Sequence, residues 1–143
     1  MKKIFLKKVF FYCFVFCCLA LPTKDLQSSE IKTNLKEKRL IKINNNYSFK
    51  YEFVKNPKIG TVVLKITAFN KKGIQTGNLD FIANYDMPAM RGSHTFFNKK
   101  FKKNKNNIYL LPVNFVMRGV WEVNIVVKES NRSIFSGVFM VKI

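Results

Sequence analysis

The chain has 143 residues, with 26 Lys and Arg against 8 Asp and Glu, and a formal charge of +18. Its three cysteines, Cys13, Cys17 and Cys18, all stand near the N-terminus, so nothing after them can form a disulfide, a thiolate zinc site or a cysteine nucleophile. The cysteine-free remainder is long enough for one domain with a single core, which must hold by packing alone.

Met1-Lys2-Lys3 and Lys7-Lys8 form a basic start to the uninterrupted apolar run Val9 to Leu21. That run is short for a bilayer span and reads as the core of a secretory signal peptide, residues 1–20, cut after Ala20. The alternative is an uncleaved membrane anchor from Ile4 to Leu21, with Lys7 and Lys8 snorkelling. Either way the domain is expected outside the cytoplasm, in the periplasm or cell envelope. Export changes the meaning of the charge: nucleic acid is not an expected partner, while an anionic membrane surface is. The plainer account is that most lysines sit in turns and on solvent faces, because no aromatic stacking pattern accompanies them.

Residues 21–44 carry few large apolar side chains and read as a flexible linker. Beyond them the chain becomes a series of β-branched and aromatic runs divided by Asn, Gly, Pro and Lys. Tyr47 to Val54 alternates, with Tyr47, Phe49, Tyr51 and Phe53 on one face. Thr61 to Phe69 turns Val62, Leu64, Ile66 and Ala68 inward, and Asn70-Lys71-Lys72-Gly73 reverses the chain. Leu79 to Tyr85 is the third strand, and Thr95 to Phe101 pairs back after an intervening loop. The polar turn 102–107 leads to Ile108–Met117, where Pro112 marks an edge, bulge or break. Val120 to Lys128 places Trp121, Val123, Ile125 and Val127 on one face, with Trp121 as the central core residue. After a turn at 129–132, Ile134 to Ile143 closes the domain. About seven such strands, without a useful amphipathic helix, predict an immunoglobulin-like antiparallel β-sandwich over 45–143.

If successive strands run antiparallel, the loop after Tyr85, Met117 and Met140 share one pole. Lys99, Lys100, Lys102, Lys103 and Lys105 then form a basic surface at or near the other. The loop itself, Asp86-Met87-Pro88-Ala89-Met90-Arg91-Gly92-Ser93-His94, holds two of the five methionines and the only histidine. Pro88 suits the second position of a β-turn from Met87 to Met90, and Gly92 permits a second reversal towards the sulfurs. Met87, Met90 and His94, with Met117 as a further ligand, make a soft donor set suited to Cu(I) or Ag(I). Asp86 is the natural carboxylate to orient the imidazole. The simpler alternative is that the methionines cap the end of the sandwich as flexible gap-fillers. No nucleophile elbow surrounds Ser93 and no phosphate loop is present, so an enzyme is not expected.

Tyr85-Asp86-Met87-Pro88-Ala89-Met90, with a strand pair after it and then Asn114-Phe115-Val116-Met117-Arg118-Gly119-Val120-Trp121-Glu122-Val123, resembles the YtkA-like domain and its FixH-like relatives. The resemblance covers roughly residues 45–143. It implies an exported or membrane-anchored immunoglobulin-like domain without enzymatic activity, an accessory in copper or other soft heavy-metal handling. The implied partners are a membrane metal transporter, an efflux system or a respiratory oxidase assembly complex. A structural or interaction module of an envelope complex, with no metal role, is the competing expectation. Arg91 departs from the methionine-richer forms of the motif by setting a cation beside the candidate site.

Overall fold

A computed structural model describes residues 33–143; the expected signal peptide and the start of the linker lie outside the described residues. Ten strands build two layers. They are β1 (Thr33–Asn34), β2 (Ile41–Lys42), β3 (Tyr47–Phe53), β4 (Gly60–Asn70), β5 (Asp80–Asp86), β6 (Phe96–Lys100), β7 (Lys102–Lys103), β8 (Ile108–Phe115), β9 (Val120–Glu129) and β10 (Arg132–Lys142). The first sheet runs β1-β10-β9-β5-β6 and the second β2-β3-β4-β8-β7. Every pairing is antiparallel except that of β1, which lies parallel to β10.

Strict alternation makes this sandwich. Phe49, Leu64, Ile66, Val113, Phe115 and Trp121 are all at 0 % exposure, and the outward positions between them are mostly polar. Burying each such side chain contributes about 1.5–3 kcal/mol, which is why the inward stripe fixes the register of each strand. Trp121 sits at the centre as expected, with its ring 5.4 Å from Phe115 and 6.4 Å from Tyr85. Three buried tyrosines reach across the layers: Tyr109 donates to the Leu79 carbonyl at 2.7 Å, Tyr51 to that of Leu35 at 3.3 Å, and Tyr85 bonds the Asn114 backbone. Burial raises the phenol pKa of all three.

The seven expected strands are present, and the three additional ones have two residues each. Two of these correct the expectation of a flexible linker reaching residue 44. Leu35 is only 4 % exposed and packs over Gly137, while its N–H donates to the Val138 carbonyl at 2.8 Å. Lys38 N–H then bonds the Tyr51 carbonyl, and Glu37 accepts from Phe53 N–H. The stretch 33–42 therefore crosses from the edge of one sheet to the edge of the other. One buried leucine and a few backbone bonds carry it, too little pattern to register as a strand in the sequence.

Pro112 neither breaks nor bulges β8. It pairs with Val63 in an unbroken register, and β7 reaches only Tyr109 and Leu110, so β8 has a neighbour on one side only at the proline. That is where a residue without an N–H is tolerated in a sheet. Between β9 and β10 the residues Ser130 and Asn131 both have positive φ, 48° and 67°, the geometry of a two-residue hairpin turn whose twist matches the strands.

The expected poles are also present. β5, β8 and β10 rise towards an upper end that carries residues 87–95, 116–119 and Ile143. The lower end carries the turns at Asn44, Asn70, Asn104 and Ser130. Met140 pairs with Glu122 near the upper end.

Candidate functional site

The upper loop starts where β5 stops at Asp86. Met87 is still extended, with φ −101° and ψ 114°, and Pro88 opens a single 3-10 turn, Pro88–Met90. The fixed φ of proline suits that position, and its missing N–H has no bond to lose there. Met90 N–H closes the turn on the Met87 carbonyl at 2.9 Å, and Ser93 N–H bonds the Met90 carbonyl at 3.2 Å. Gly92 then takes φ +89°, a conformation glycine reaches without steric cost. Its N–H donates to Thr95 Oγ1 at 3.1 Å and directs the chain into β6. The chain thus turns at both Pro88 and Gly92.

The turn sends its two methionines to opposite environments. Met87 is 5 % exposed and belongs to the core, whereas Met90 is 40 % exposed. The Met87 methyl occupies the space above Gly119 that a β-carbon would fill. Gly119 has φ +143° and is tied to Ile143 by two backbone hydrogen bonds of 2.9 and 3.2 Å. Met117 is half-buried on the same core, and its carbonyl accepts the Trp121 indole N–H at 3.1 Å. Met87 and Met117 therefore belong to the seal over the tryptophan. Met90 and the half-buried His94 remain on the solvent side.

Asp86 does not take the expected place behind the imidazole. Among the described residues no hydrogen bond joins it to His94; it lies opposite Glu122 of β9 on the outer face of the first sheet. Arg91 also turns that way, with its guanidinium 3.8 Å from the Glu122 carboxylate. The cation beside the methionines is thereby partly neutralised, although an ion pair whose arginine is 63 % exposed contributes little stability. Beside the loop is a cavity of about 510 Å³, lined in part by Asn84, Asp86, Arg91, Phe97, Glu122 and Asn124. Met87, Met90, His94 and Met117 are not among its walls. Among the described residues no group of three or more His, Cys, Asp or Glu is placed to hold a metal ion, so a metal here would depend on thioethers.

The five lysines of the basic surface are all exposed, along the edge where the chain passes from β6 in one sheet to β7 in the other. Lys103 donates to the Gly77 carbonyl at 2.7 Å, and Lys99 lies 5.8 Å from the centre of the Phe96 ring. Charge on an open edge discourages another strand from adding to it.

The sequence matches the pattern of one known family, described as YtkA-like, over residues 41–126. The chain belongs to the YtkA-like family. The matched span of this YtkA-like chain begins at β2, contains the Met87–His94 loop and Trp121, and ends within β9. No curated protein and no solved structure matches the chain.

The outer row of Asn84, Asp86, Glu122 and Asn124 is not legible in the sequence as a unit. Alternation does place these four residues outward on their strands. What the sequence does not supply is the pairing of β5 with β9, which are separated by three other strands along the chain.

Proposed function

We propose that this YtkA-like protein is a non-enzymatic accessory of the cell envelope that makes transient contact with Cu(I) or Ag(I) through Met90 and His94. One observation carries the reading: the Met90 thioether is held at the surface on a turn whose other methionine is anchored in the core. Met87 acts as the anchor, and Met117 is half-buried against the same core. A thioether and an imidazole are donors that suit a soft monovalent ion. Neither needs to lose a proton from a thiol, so the pair survives in an oxidising compartment. Two reachable donors imply weak, exchangeable binding, as delivery to a membrane metal transporter, efflux system or oxidase assembly complex requires.

The test is anaerobic titration of the intact protein with Ag(I) and with Cu(I) against a chromophoric competitor. One ion per chain is expected, and Met90→Ala with His94→Ala abolishes it. Unchanged affinity in that double variant overturns the reading.

A second reading, a docking module without metal, is favoured by the burial of Met87, which removes one sulfur from the expected set. It predicts no response to either ion, together with loss of a co-purifying envelope complex when Met90 and Phe97 are both replaced by Ser.

A further inference from the structure

The cavity on the outer face of the first sheet is built from two adjacent rows of the β5–β9 ladder. Asp86 stands opposite Glu122 in one row, and Asn84 opposite Asn124 in the next. The upper loop overhangs them with Arg91 and Thr95, and the side towards β6 is closed by Phe97, whose ring is 67 % exposed. The hydrogen bonds already made determine what remains to offer. Asn84 Oδ1 accepts from Asn98 N–H at 2.8 Å, and Asn124 Oδ1 accepts from the Ser136 hydroxyl at 3.0 Å. Each amide oxygen already accepts one bond, which fixes the orientation of the amide and leaves its NH2 to donate to a ligand. The two carboxylates are acceptors only, and the guanidinium is a donor only.

We infer that this cleft binds neutral carbohydrate, one or two sugar rings in size. A ligand spanning both rows meets donors in the amide NH2 groups and the guanidinium, and acceptors in the two carboxylates. The hydroxyl is the common group that both accepts and donates. A simple anion meets Asp86 and Glu122, and a simple cation meets Arg91 in a protein already strongly positive. The exposed Phe97 ring supplies the apolar wall against which the C–H face of a pyranose packs. The volume, about 510 Å³, falls within the roughly 300–1,000 Å³ of small-ligand pockets. Met90 and His94 lie outside the cleft, so this inference stands apart from the metal reading.

The experiment monitors ¹H–¹⁵N chemical shifts of the intact protein during titration with glucose, galactose, N-acetylglucosamine and their β-linked disaccharides. Acetate and arginine methyl ester serve as charged comparisons. At least one sugar is expected to shift the amides of Asn84, Asp86, Thr95, Phe97, Glu122 and Asn124, with a Kd on the order of millimolar. Phe97→Ala and Asn124→Ala each weaken that binding by about tenfold, and Met90→Ala leaves it unchanged. Phe97→Ala removes an exposed ring, so retained spectral dispersion confirms the fold. Absence of shifts with every sugar, shifts that survive Phe97→Ala, or equal shifts with the charged compounds would each overturn the assignment.

Discussion

The two ends of the sandwich are held by different means. At the lower end three asparagines do the same job in three turns. Asn44 Oδ1 accepts from Asn46 and Tyr47 N–H, Asn70 Oδ1 from Lys72 and Ile74 N–H, and Asn104 Oδ1 from Asn106 and Ile108 N–H, all between 2.8 and 3.0 Å. Each turn is satisfied within its own few residues, as short polar side chains allow. The upper loop has local bonds too, Gly92 N–H to Thr95 Oγ1 and two backbone turn bonds, but its side chains also depend on distant partners. Met87 needs Gly119, Gly119 needs Ile143, and Arg91 reaches Glu122. The lower turns are closed by contacts within a few residues, whereas the upper loop adds contacts to β9 and to the chain end.

This contrast can be broken at identifiable points. The largest effect is expected from Met87→Ala, which empties a core position and costs about 2–5 kcal/mol, read as a lowered midpoint in urea. Met90→Ala in the same loop stays within about 0.5 kcal/mol, and equal losses in the two variants would erase the distinction between them. Next comes Gly119→Ala. An added methyl meets the Met87 side chain on a backbone at φ +143°, and a loss of about 1–3 kcal/mol is expected. Part of it is recovered when Met87→Ala is combined with it, because the clash is gone. Asn104→Ala comes third, at about 1 kcal/mol, and its effect is additive with Met87→Ala because the two ends share no partner.

The smallest effect near neutrality is the titration of the buried tyrosines. Their folded pKa values are raised above the ordinary value of 10.0, chiefly by burial. The folded state therefore holds these protons more tightly than the unfolded chain. Their contribution is complete below about pH 10 and is lost as the pH climbs beyond it. Unfolding midpoints measured from pH 8 to pH 11 should fall in that range. Tyr51→Phe, Tyr85→Phe near the upper end and Tyr109→Phe towards the lower should each flatten the decline, and a decline unchanged by all three would exclude these phenols as its cause.

The sequence is a good guide wherever structure is written locally. Alternation in β3, β4, β8 and β9 identifies the inward faces, and Pro88 and Gly92 mark where the upper loop turns. Legibility ends where a side chain answers to a distant one. Met87 and Met90 look equivalent in sequence, and only the space above Gly119 separates the buried sulfur from the exposed one. Asp86 is expected to serve His94, eight positions away, whereas the strand ladder sets it against Glu122. The segment 33–44 reads as a tether because a two-residue strand has no period to show, and its docking rests on Leu35 finding Gly137.

Pro112 has a consequence for how the protein behaves among its own copies. The upper half of β8 is an open margin, since the two residues of β7 end well below it. A strand with free backbone groups on one side is a template for another chain. The proline withdraws one of those groups midway, much as the lysines guard the margin below. Without the proline, that half of β8 would offer neighbouring copies of the chain an uninterrupted row of backbone groups, and this one residue breaks the template.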